Sequence, residues 1–144
     1  MKTGFQSDVM VVTTADGRNF TLLSPTDYLA TDGTLYRIPV GATSDGASTP
    51  PALWPVLPPF GRYWRAAVLH DAAYRGTLER QVDGVWESAN LPKAACDELL
   101  KEAMEGLGVD KAQVLEIYEG VHLGGGTAFA VDRKATQTSG SESV

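Results

Sequence analysis

Arg62-Tyr63-Trp64-Arg65-Ala66-Ala67-Val68-Leu69-His70-Asp71-Ala72-Ala73-Tyr74-Arg75, closed by Gly76, has apolar residues on every side of a helical projection. Tyr63, Ala66, Ala67, His70 and Tyr74 recur at i, i+3, i+4, i+7 and i+11, while Trp64, Val68 and Leu69 fill the rest of the circumference. The spacing predicts a helix over 62–75 that is largely buried, and Gly76 is a natural stop. Such a helix needs cover on several sides, and the flanking sequence supplies it. Residues 77–89 read as a small hairpin turning at Asp83-Gly84. Asn90 and Pro92 then open a second helix reaching Gly108, with Cys96, Leu99, Leu100, Ala103 and Leu107 as its seam and Asp97 on its flank. A third helix begins at Asp110, with Gln113 placed for a capping box and Val109 and Val114 for a hydrophobic staple. It buries Val114, Ile117, Tyr118 and Val121 and is expected to end before Gly124-Gly125-Gly126.

Toward the N-terminus, residues 41–60 carry prolines at 50, 51, 55, 58 and 59, which neither helix nor central strand tolerates. Leu53, Trp54, Val56, Leu57 and Phe60 make this segment too apolar for a solvated linker, so it is expected to pack on the body. Before it, two hairpins are legible. Val9 to Val12 and Phe20 to Leu23 flank an Asp16-Gly17 turn, and Asp27 to Ala30 and Thr34 to Val40 flank Thr31-Asp32-Gly33. The expected fold is α+β: a small N-terminal antiparallel sheet packed with a three-helix bundle. Residues 1–131 form one domain. A Ser-, Thr- and Gly-rich tail over 132–144 is too polar to offset its own ordering entropy.

The chain has 144 residues, 12 Lys+Arg against 18 Asp+Glu, and a net charge of −6. That is enough to bury a single core. The acidic balance, with no basic run, argues against nucleic acid as a partner, since binding its backbone requires a cationic face. One cysteine, Cys96, excludes an internal disulfide and any multi-thiolate zinc site. The stretch from Met1 to Met10 is polar and without the long apolar run of a signal peptide or membrane span, and no transmembrane segment is expected.

His70 and Asp71 place an imidazole beside a carboxylate within an apolar helix. Neighbours on a helix point about 100° apart, so each must serve a different partner. Tyr74 lies four residues after His70 and three after Asp71, close to both. Asp97, on the border of the second helix, could reach His70 if the two helices pack together.

The H-D-x-x-Y run of His70, Asp71 and Tyr74, with the Cys96-Asp97 pair, resembles the catalytic helices of the secreted and bacterial phospholipases A2. That resemblance implies a general base at His70, an orienting carboxylate at Asp97, a supporting Tyr74 and a calcium ligand at Asp71. The chain departs from the family in lacking its disulfides and its Y-G-C-x-C-G calcium loop. Ser44-Asp45-Gly46-Ala47 is the substitute, with the Asp45 side chain and the Gly46 carbonyl as ligands. A longer likeness, over roughly residues 38–125, is to small phage and prophage proteins. It rests on D-G-A-S-x-P (45–50), P-P-F-G-R-Y (58–63), A-A-V-L-H-D-A-A-Y-R (66–75) and the K-A-A-C-D helix from Lys93. It implies a phage origin, hence a virion-associated location or an infected host cell.

Two functions follow. One is a calcium-dependent hydrolase acting on a lipid or cell-envelope ester. The other is a non-catalytic accessory protein of the virion or tail, in which Asp71 pairs with Arg62, Arg65, Arg75 or the amides of residues 44–48. A zinc amidase is weaker, because neither H-x-x-x-H nor H-x-x-E-H spacing occurs. His122, near the end of the third helix, is expected to serve the helix terminus rather than a metal.

Overall fold

Alternation of buried and part-buried residues in Thr26–Leu29 and Leu35–Ile38 builds the centre of the molecule. The structure, a computed structural model, describes residues 1–13, 15, 20–44 and 63–124. Among these, six strands precede the first helix: β1 (Gly4–Phe5), β2 (Val11–Thr13), β3 (Phe20–Leu22), β4 (Thr26–Leu29), β5 (Leu35–Ile38) and β6 (Thr43–Ser44). β4 and β5 pair antiparallel with Thr26 opposite Ile38 and Tyr28 opposite Tyr36. Because cross-strand partners share a face, that register collects the four buried side chains on one side of the sheet.

The hairpin expected at 77–89 forms as β7 (Glu79–Val82) and β8 (Val85–Ser88). Asp83 (φ 50°) and Gly84 (φ 79°) both occupy the left-handed region, as a two-residue turn matched to strand twist requires. The hairpin does not stand apart. β7 pairs with β5, giving a five-stranded antiparallel sheet in the order β1-β4-β5-β7-β8, so the sheet is larger than the N-terminal third alone predicted. The free edge of β5 would otherwise expose unpaired backbone groups. Arg37 reinforces the arrangement, binding Asp27 through two nitrogens at 2.7 and 3.0 Å and lying 4.1 Å over the Trp86 ring. β2, β3 and β6 form a separate three-stranded sheet.

The helices among the described residues are α1 (Trp64–Arg75), α2 (Lys93–Gly106) and α3 (Lys111–Gly124). α1 ends at Gly76, whose φ of 76° is a left-handed cap, and its residues from Ala66 to Tyr74 are all buried. α3 continues through Gly124, beyond the expected stop, since one glycine costs a helix only about 1 kcal/mol. α2 packs against both α1 and α3. One hydrophobic cluster joins Tyr28, Tyr36 and Ile38 of the sheet to Leu69 of α1, Leu100 and Met104 of α2 and Ile117 of α3. The fold is α+β. No helix among the described residues is long and apolar enough to cross a membrane. Asp45, Gly46, the five prolines and the tail at 132–144 lie outside the described residues.

Candidate active site

Burial of α1 on all sides carries its polar pair inside with it: His70 is 2% and Asp71 1% exposed. α2 brings a third polar group to the same interior, Asp97, with 0% exposure. His70 Nε2 lies 2.9 Å from Asp97 Oδ1, and the Tyr74 hydroxyl donates to that same oxygen at 2.7 Å. The His70 and Tyr74 rings sit 4.1 Å apart, centroid to centroid. An ionised carboxylate only accepts, so Nε2 carries the proton and Nδ1 is left with the lone pair.

Asp97 is ionised for a reason that can be traced. Burial pushes its pKa up, but hydrogen bonds from His70, Lys93 and Tyr74 outweigh burial and hold it at about 2, against an ordinary 3.8. Lys93 is the member of this group that the motif reading missed. Its ammonium donates to Asp97 Oδ2 at 2.8 Å and to the carbonyls of Val121 at 3.1 Å and His122 at 2.9 Å. The signal was present in the sequence as a Lys and an Asp four residues apart on one helix. His122 lies in the last turn of α3, where a basic group is expected, and in addition its Nδ1 lies 3.6 Å from Asp97 Oδ2 while its ring stacks on Tyr118. Both histidines of the chain therefore face one carboxylate.

Asp71 points elsewhere. Its Oδ2 lies 3.8 Å from an Arg75 guanidinium nitrogen, one turn on, and Arg65 is engaged with Asp8 at 2.9 Å. Among the described residues no group of three or more His, Cys, Asp or Glu gathers to hold a metal ion. Asp71 is the sole described member of the expected calcium set, Asp45 and Gly46 lying outside. A cleft of about 600 Å³, lined by Thr31, Tyr36, Glu98 and Glu102 among others, opens between the β4–β5 corner and α2, and its lining does not include His70.

No curated protein and no solved structure matches the chain. A family match covers residues 20–121, which runs from β3 into α3 and contains four of the five residues of the Asp97 cluster, all but His122. The chain belongs to DUF1353, a family of proteins of unknown function.

Proposed function

We propose that the chain is a phage-encoded hydrolase of lipid or cell-envelope esters, with His70 as general base, Asp97 as its orienting carboxylate and Tyr74 as the group that steadies Asp97. One observation supports this reading: His70 Nε2 and the Tyr74 hydroxyl meet the same oxygen of a fully buried carboxylate, at 2.9 and 2.7 Å. With Nε2–H pinned, Nδ1 is the basic atom. It takes a proton from water as the oxygen of that water attacks the ester carbonyl, and Asp97 stabilises the imidazolium. The carbon–oxygen bond to the leaving alcohol then breaks and His70 returns the proton, so acid and alcohol are the products. Base catalysis of this kind contributes about 10²–10⁴-fold. Asp71 has the hard oxygen donor that calcium prefers, and with oxygens of residues 44–48 it would hold the ion, which when bound would polarise the scissile carbonyl.

A second reading is favoured by the 2% exposure of His70. A sealed imidazole and an Asp71 that faces Arg75 suit a virion or tail accessory protein whose polar cluster locks the helices together. Fatty-acid release from phosphatidylethanolamine–phosphatidylglycerol vesicles separates the two. Hydrolysis that needs calcium and falls about 10²–10⁴-fold in His70→Ala supports the enzyme. No release above blank, or release unchanged in His70→Ala, removes it. Calorimetric titration with calcium, compared between parent and Asp71→Asn, tests the metal separately: heat in the parent alone supports Asp71 as a ligand, and none in either excludes calcium.

A further inference from the structure

Lys93 has three N–H donors and three acceptors: Asp97 Oδ2, the Val121 carbonyl and the His122 carbonyl. No donor is left over for a substrate, so whatever Lys93 contributes to the site passes through Asp97. The two oxygens of that carboxylate are divided. Oδ1 receives His70 and Tyr74, while Oδ2 receives Lys93 and has the His122 ring 3.6 Å away. His122 is a competitor for that carboxylate, its side chain 49% exposed where that of His70 is 3% exposed. Two imidazoles thus flank one carboxylate, and the ammonium stands on the side of the exposed one.

The geometry points to Lys93 as a positioning residue that anchors Asp97 Oδ2, so that Oδ1 stays with His70 rather than turning to His122, and the buried imidazole is kept in its Nε2–H form. The inference deepens the general-base reading of His70 and rests on it for its effect on turnover. Its effect on the imidazole does not depend on any substrate. The ammonium also ties the first turn of α2 to the last turn of α3, whose carbonyls form the negative end of that helix. α3 is therefore part of the site's support, although it lends no side chain to His70.

The test uses the full chain, nitrogen-15 labelled, with long-range proton–nitrogen correlation spectra recorded at a single neutral pH to read the tautomer of each histidine. The parent is expected to show His70 as one Nε2–H form. Lys93→Met should give a mixture of tautomers at His70, Lys93→Arg should restore the single form, and adding His122→Ala to Lys93→Met should also restore it by removing the competitor. In the vesicle assay Lys93→Met should lower kcat about 10- to 100-fold at unchanged KM. A folded Lys93→Met protein with the parent His70 spectrum overturns the proposal. Lys93→Gln, which removes the charge and keeps two donors, is read in the same way if Lys93→Met does not fold. Should no variant or parent hydrolyse the vesicles, the base reading fails while the tautomers still judge Lys93.

Discussion

Replacing Asp97 by Asn leaves size and shape almost unchanged but keeps only one of two acceptor oxygens, so the new NH2 meets a donor, either the Lys93 ammonium or the His70 and Tyr74 pair, at a position with 0% exposure. The expected cost is about 3–5 kcal/mol, as when one partner of a buried ion pair is removed, measured by urea unfolding at neutral pH. Thr26 makes the opposite case. Thr26 is 0% exposed, and its hydroxyl has no hydrogen-bond partner among the described residues. Thr26→Val therefore removes a desolvated polar atom at nearly constant volume, and should leave the melting temperature unchanged or raise it. A fall of several degrees would show that the hydroxyl is satisfied. The contact of His70 with Asp97 was legible because both residues lie on or beside apolar helical stripes that have to meet. The place of His122 was not, because nothing local tells which way the last turn of α3 faces.

At the scale of elements, one carboxylate of α2 adds hydrogen bonds to the apolar packing that joins this helix to the sheet. Glu102 accepts from the Tyr28 hydroxyl at 3.0 Å, the Thr31 amide at 2.9 Å and the Thr31 hydroxyl at 2.9 Å, joining the helix to the corner between β4 and β5. Glu102→Ala should cost about 1–3 kcal/mol by leaving the Tyr28 hydroxyl without its acceptor. Amide exchange should quicken at residues 30–34 and stay slow in α1, and uniform quickening would argue against this local attachment. Helices α1 and α2 and the hairpins β4–β5 and β7–β8 were readable from spacing and turn residues, within a few positions at each end. The two-residue strands β1 and β6 carry no period to read. The pairing of β7 with β5 is a choice between distant edges, which local pattern does not encode.

For the molecule as a whole, the depressed pKa of Asp97 ties stability to acidity. A carboxylate with a folded-state pKa of about 2 against 3.8 unfolded contributes its stabilisation in full above pH 3.8 and loses it as pH falls toward 2. The amount is about 2 kcal/mol. Parent and Asp97→Asn unfolding energies should therefore converge by that amount between pH 4 and pH 2, and a constant difference across the window would mean that Asp97 is not the titrating group. The α+β class was readable because a helix apolar on all sides demands cover from other elements. The family match then shows that this body, from β3 into α3, is a recurring unit.

The Asp83-Gly84 turn is solvent-exposed and lies between His70 and Tyr74 on one side and Lys93, Asp97 and His122 on the other. A nick there divides the cluster into two inheritances, imidazole with phenol in one fragment and carboxylate with ammonium in the other. Neither fragment alone can hold its charges out of water, so their reunion should behave as a complementation switch: mixing the two pieces would restore the buried pair only when β7 and β8 find each other again.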